Sequence, residues 1–313
     1  MKYLFALIAL LIPVAAQAQL KIVTTTTDFA DLARQIGKDK VDVHSVMRGP
    51  ENTHNIIAKP TEMVHLNRAD LFVHAGLDAE PWRDNLLKGA RNPKLLAGKP
   101  GNVDMSSGID LRDVPTGRID RSMGDIHAFG NTHYHIHPLN AQRMAATLVH
   151  AMAEVDPKNA DFYRKNAAAF VNDMAATYRK LQEEFAPYRG LKIVSYHRAW
   201  DYFADAFGIE IVTTIEPKPS ITPSPAQMRQ TIEEMKQHDV RIVVVETYNS
   251  LNQAQRVAEA AGAQVLVLPD HVHGVREADS YQNLFRYNIE KLIEAAQAAG
   301  IRPREPDSTA PAR

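Results

Sequence analysis

From Lys158 to Phe185 the chain runs without a glycine or a proline. Asp156-Pro157 ahead of this stretch and Pro187 behind it are the residue types that start and stop helices. About 26 helical residues at 1.5 Å each reach ~39 Å, enough to cross a whole molecule. Both flanks alternate short β-branched runs with segments of helical apolar spacing. The stretch is therefore expected to be one long helix between two α/β units.

On the N-terminal side, Leu20–Thr27 reads as a strand and DFADLARQIG as a helix, with Phe29, Leu32, Ala33 and Ile36 at helical spacing. VDVHSVM is a second strand, PTEMVHLNRA a short helix and DLFVHAG a third strand. Residues ~88–125 are rich in Gly, Pro, Asp and Arg and read as loop with some strand, and a helix follows from Asn140. On the C-terminal side, LKIVSYH, IEIVTTIE, RIVVVET and QVLVLP are strands. Helices alternate with them, one opened by Ser224-Pro225 as cap and first residue. Strand–helix alternation of this kind signals parallel sheets. The expected fold is α/β: two Rossmann-like lobes with mostly parallel sheets, joined by one long backbone helix. The expected organisation is a signal peptide at 1–18, an N-terminal lobe at 19–157, the linking helix at 158–186, a C-terminal lobe at 187–301 and a disordered tail at 302–313.

The first 18 residues combine Lys2, an apolar run from Leu4 to Val14, and Ala16-Gln17-Ala18 at a small-x-small cleavage position. The run is shorter than the ~20 residues that span a bilayer. It reads as a cleaved secretory signal, with the mature chain in the periplasm. Cleavage before Gln19 is not a lipoprotein pattern. The chain has 36 basic against 37 acidic residues, which leaves no field to hold nucleic acid. It has 13 histidines and no cysteine. Disulfides, thiolate zinc sites, iron–sulfur clusters and thiol nucleophiles are excluded, so a metal site must use His, Asp, Glu or water.

Most of the histidines, among them His44, His65, His74, His150 and His238, read as ordinary surface or core residues. His54 stands apart in the loop after the second strand, bracketed by Gly49-Pro50 and Pro60. In open α/β sheets ligands gather at the carboxyl ends of strands. His127, His133, His135 and His137 crowd into 11 residues; in an extended chain the last three would point the same way. In the second unit, His197, Glu246 and Asp270 each end a strand, with His271 and His273 just beyond. Converging on a cleft between the lobes, such a set suits tetrahedral Zn2+.

On these residues the chain resembles the zinc- and manganese-binding periplasmic solute-binding proteins of bacterial ABC importers. The matching pieces are TTTT-DFADLARQIG, a loop histidine followed by KPTE and RADLFVHAG, GDIHAFGNTHYHIHP, SYHRAWDYFADAFGIE, EPKPSITPSP, VVVET and ADSYQNLFRYN, spread over residues 20–298. The resemblance implies His54, His133 and His197 as the first three metal ligands and Asp270 as the fourth, with Glu246, His271 or water as alternatives to Asp270. Manganese-selective members carry Glu at the third position, so His197 points to zinc. The chain departs from the family pattern at Thr132, where Pro is common, and at His137, where Asp is common. It lacks the long His/Asp-rich loop of some zinc members, for which His127, His135 and His137 are a reduced stand-in.

The function implied is capture of Zn2+ and delivery to an inner-membrane ABC permease, with no enzymatic activity. A periplasmic zinc metallochaperone is a second candidate partner, and the protein is expected to be a monomer. Mn2+ is the alternative cargo. A zinc chaperone or adhesin and, more remotely, a zinc hydrolase are the rival classes, the last lacking an HExxH pairing. The long helix implies small lobe rotation on binding rather than wide closure. Proton competition implies weaker binding below pH ~6.5. Trp82, Tyr196 and Trp200 are candidates for shielding the cleft.

Overall fold

The computed structural model describes residues 18–115, 129–216 and 221–304. Residues 1–17 of the expected signal peptide, His127 and residues 305–313 of the expected tail lie outside them. Two four-stranded sheets carry the architecture. The first contains β1 (Leu20–Thr24), β2 (Val41–Ser45), β3 (Leu71–His74) and β4 (Asn102–Asp104) in the order β2-β1-β3-β4. The second contains β5 (Lys192–Ser195), β6 (Glu210–Thr214), β7 (Ile242–Glu246) and β8 (Gln264–Leu268) in the order β6-β5-β7-β8. Every pairing is parallel, and the second sheet repeats the strand order of the first.

Helices α1 (Thr27–Gly37), α2 (Pro60–Arg68), α3 (Arg83–Ala90) and α4 (Asn140–Val155) belong to the first lobe. Helices α6 (Asp201–Phe207), α7 (Pro225–Gln237), α8 (Leu251–Ala261) and α9 (Tyr281–Ala298) belong to the second. Between them α5 spans Ala160–Phe185, 26 residues. Its buried face runs Tyr163, Ala167, Phe170, Met174, Tyr178, Leu181 and Phe185, steps of three and four that hold one stripe against the core. It packs against α1 and α4 on one side and α9 on the other. The capping chemistry is local. Ser224 and Gln227 close a capping box at the start of α7, with Pro225 in the first turn. Gly262 ends α8 at φ 74°, which a side chain would strain.

The period of two in the strands divides the core into layers. In β7, Ile242 and Val244 face one way and Val243 and Val245 the other, all fully buried. The inward layers of both sheets merge through α4, α5 and α9 into one continuous apolar core. Separate clusters cover the outer faces, around Phe72 and Trp82 in the first lobe and Val243 and Val257 in the second. The lobes thus share a core across their junction. Arg304, within the segment expected to be a disordered tail, donates its backbone N–H to the Pro187 carbonyl at 2.8 Å.

Among the described residues no helix is long and apolar enough to cross a membrane. Helix α3 is an element the sequence pattern does not announce. Only Leu86 and Ala90 of its eight residues are buried, too few for a readable stripe.

Candidate metal centre

The carboxyl ends of the strands in the two sheets face each other across the interlobe junction. The loop after β2 forms a short 3-10 turn at Thr53–Asn55, in which the Asn52 side chain accepts the His54 N–H at 2.9 Å. Trp82 fixes the same turn, its indole N–H donating to the Thr53 carbonyl at 2.8 Å. His133 precedes a 3-10 turn at Tyr134–Ile136, and Asn131 accepts its N–H at 3.0 Å. His197 lies two residues beyond the end of β5, after Tyr196. These three imidazoles converge: one nitrogen of each lies within 4.8 Å of the others, and the ring centroids are 5.3 to 6.0 Å apart.

Two of the rings have their tautomer set by an oxygen that can only accept. His54 Nδ1 faces the Ala79 carbonyl at 3.1 Å, and His197 Nδ1 faces Glu216 Oε2 at 2.5 Å. In the neutral rings the proton therefore sits on Nδ1 and the lone pair on Nε2, the arrangement that metal-binding histidines adopt. Burial works against charge on His197, but the Glu216 hydrogen bond and the carboxylates of Glu246, Glu216 and Asp270 raise its pKa above the ordinary value.

The alternatives for a fourth ligand separate clearly. Glu246 is fully buried with both oxygens engaged, Oε1 by Trp200 Nε1–H and Oε2 by Asn249 Nδ2, each at 2.7 Å. Burial raises it to about 7, with His197 opposing and Asp270 adding to the rise. Asp270 is also fully buried; Tyr248 O–H donates to its Oδ2 at 2.9 Å, whereas its Oδ1 has no hydrogen-bond partner. A buried carboxylate oxygen left this way has a donor or a cation to gain. Asp270 is not among the three residues whose donor atoms meet within 4.8 Å, so the imidazoles form the core of the site and the carboxylate stands beside it.

The expectation that His133, His135 and His137 point the same way is overturned. The 3-10 hydrogen bonds Ile136 N–H to His133 O and His137 N–H to Tyr134 O replace the strand period of two with one near three. His133 thus faces His54 and His197, while His135 turns to a second buried group with Asp28 and His271. His137 lies 3.8 Å from Asp205, away from the other imidazoles.

In the second group Asp28 Oδ2 accepts from His271 Nδ1 at 2.5 Å and Asp28 Oδ1 accepts the Val272 N–H at 2.9 Å. Thr53 Oγ1 donates to the Met47 sulfur at 3.3 Å and so accepts from His271 Nε2 at 3.1 Å. His271 therefore carries both protons. Burial opposes that charge, but Asp270 and Asp28 push it up to about 9. Burial likewise opposes charge on Asp28, and His271, His135 and the two hydrogen bonds hold it below the ordinary carboxylate value. His135, stacked on His271 with centroids 4.6 Å apart, is kept neutral by burial and by that neighbour's charge. A cavity of about 10 Å3 touches His54 and His133 on one side and His135 and His271 on the other, space for one water or ion.

Comparison with known proteins fits this geometry. A family model described as "ZnuA: Zinc-uptake complex component A periplasmic" matches residues 22–295. The chain belongs to this family. Similar proteins include the metal ABC transporter substrate-binding lipoprotein FimA of Streptococcus parasanguinis, 27% identical over 89% of this chain and 90% of that one. Another is the manganese ABC transporter substrate-binding lipoprotein PsaA of Streptococcus pneumoniae, 26% identical over 88% of each. Among solved structures, a ZnuA crystal structure superposes with TM-score 0.74 at 26% identity, covering 88% of this chain and 99% of that one. A zinc-bound ZnuA deletion mutant superposes at 0.75 with 25% identity, covering 92% and 100%. Both streptococcal relatives are named as substrate-binding components of metal ABC transporters.

Sequence reasoning passed over Asp28, Glu216 and Tyr248. Glu216 was open to the same strand-end rule, since it follows β6 as His197 follows β5. Trp82 and Trp200, candidates for shielding the cleft, also donate hydrogen bonds to the frame around the three imidazoles.

Proposed function

We propose that this chain captures Zn2+ in the periplasm through His54, His133 and His197, with Asp270 as the fourth ligand. It then delivers the ion to an ABC permease in the inner membrane, acting as a monomer after removal of residues 1–18. The observation that carries the reading is the convergence of three imidazoles from both lobes, two of them held with the lone pair on Nε2. Three nitrogens and one carboxylate favour Zn2+ over Mn2+, which prefers oxygen-rich, higher-coordinate surroundings. Neutral imidazoles and one carboxylate leave the loaded site near +1, next to buried carboxylates that temper it. A zinc metallochaperone is the second candidate partner.

Manganese is the second reading, because relatives such as the pneumococcal PsaA are named for manganese. Titration of metal-free protein with Zn2+ and Mn2+ in competition, with metal analysis, separates the two. The expected result is one tightly held Zn2+ per chain that excess Mn2+ does not displace, with His54→Ala, His133→Ala and His197→Ala each weakening it more than ~10-fold. Displacement by equimolar Mn2+ would assign the site to manganese. Undiminished zinc binding by His197→Ala would refute the ligand set.

A further inference from the structure

We propose that Asp28 and His271 form an interlobe latch that positions Asp270 against the three imidazoles and so sets the metal's fourth coordination place. This rests on Asp270 being the carboxylate ligand, as proposed above. The latch joins two loops that carry ligands from opposite lobes. Asp28 lies in the first turn of α1, and His271 and Val272 follow Asp270 after β8. Asp28 holds both, through His271 Nδ1 at 2.5 Å and the Val272 N–H at 2.9 Å. Thr27 Oγ1 adds a hydrogen bond to the Val272 carbonyl at 2.6 Å. The other face of His271 reaches Thr53, the residue before His54, at 3.1 Å. One imidazole therefore bridges the turn that carries His54, the helix that carries Asp28 and the residue adjoining Asp270.

The surroundings leave that bridge little freedom. Asp28 and His271 are 1% and 2% exposed. His135 stacks flat on His271 and donates Nε2–H to the Asp270 backbone carbonyl at 2.9 Å. Tyr281 O–H in turn donates to the His135 carbonyl. The loops touch backbone to backbone farther along, where a Cβ on Gly49 would lie 2.1 Å from the His273 carbonyl carbon. Asp270 is thus held at its carbonyl by His135, at Oδ2 by Tyr248 and through the next residues by Asp28, leaving Oδ1 to the metal. All the nitrogens and oxygens that Asp28 and His271 offer are already committed. The pair therefore acts on the ion through position and not as further ligands.

The test is Co2+ substitution with zinc competition on the full mature chain and on Asp28→Asn, His271→Asn, Thr53→Val and Asp270→Asn. Four-coordinate Co2+ absorbs visible light far more strongly than five- or six-coordinate Co2+, so the band reports whether the carboxylate is in place. The latch predicts that Asp28→Asn and His271→Asn still bind one Co2+ but move its spectrum toward that of Asp270→Asn, with zinc affinity lowered ~10–100-fold. Thr53→Val, which leaves the Asp28–His271 pair intact and removes the far anchor together with the bond to the Met47 sulfur, shifts both in the same direction by less, and it decides the question if the two buried-pair variants do not fold. If the latch variants or, failing them, Thr53→Val keep the wild-type band while Asp270→Asn changes it, the latch is refuted and the ligand set stands. If Asp270→Asn itself leaves the band unchanged, the ligand reading is refuted first and the latch falls with it.

Discussion

Glu216→Gln is the sharpest perturbation of the proposed centre, because it changes one atom and touches the metal only through another residue. Glu216 Oε2 accepts His197 Nδ1–H at 2.5 Å, and His197 is 4% exposed. The carboxylate both aims the ring and makes its Nε2 a stronger donor. Loss of such a partner commonly costs ~10–100-fold in metal affinity, or about 1.4–2.7 kcal/mol at 1.36 kcal/mol per tenfold step. Gln keeps an oxygen that can accept the same proton, so Glu216→Gln should fall near the tenfold end and Glu216→Ala nearer the hundredfold end. The gap also depends on pH with a definite sign. Glu216 raises the His197 pKa, so in wild type protons compete for that ring from a higher pH than in the variant. Wild-type affinity should therefore fall more steeply on acidification, and the difference between the two should narrow from pH 8 to pH 6. Zinc titration against a chromophoric chelator at several pH values, repeated in a His197→Ala background, measures this. An affinity within twofold of wild type, or an equal loss when His197 is already gone, would refute transmission through that imidazole.

Two further outcomes follow from the frame around the site. Glu246, raised to about 7 by burial, binds a proton in the folded state over a range where the unfolded chain has released it, so its contribution to stability falls as pH rises from ~4.5 toward ~7. Glu246→Gln should gain stability relative to wild type across that window and level off above it; denaturant unfolding of metal-free protein at pH 5, 6, 7 and 8 checks this, and a constant difference would contradict it. Gly49→Ala puts a methyl 2.1 Å from the His273 carbonyl carbon. It should cost about 1–3 kcal/mol by overpacking and weaken zinc binding as well, read by urea unfolding and by titration.

The lobes and their brace were legible because their signals are local. The Gly- and Pro-free run that forms α5, the β-branched strands and the Ser224-Pro225 cap each declare themselves within a few residues. His54, His197 and Asp270 were singled out by a rule of topology, since the carboxyl edges of parallel strands collect ligands. Other features depend on distant pairings. Asp28 looks like an ordinary acidic residue in a helix's first turn, and its role exists only through His271, 243 positions away. The direction of His135 was misjudged because two backbone hydrogen bonds, absent from any side-chain pattern, wind that segment into a 3-10 turn. The strand-end rule was open to Glu216 but was not applied to it, and choosing it over the other acidic residues needed His197 beside it.

The 26-residue span of α5 packs against α1 in one lobe and α9 in the other, with apolar core running beneath it from sheet to sheet. Opening such a molecule wide would tear a shared core instead of turning a hinge. For the proposed site, the dwell time of a captured ion would then be governed by how fast its bonds to individual side chains exchange, not by the breathing of two halves. On the proposed ligand set, a membrane partner that unloads the protein would loosen ligands one at a time, beginning with the buried carboxylate beside the three imidazoles.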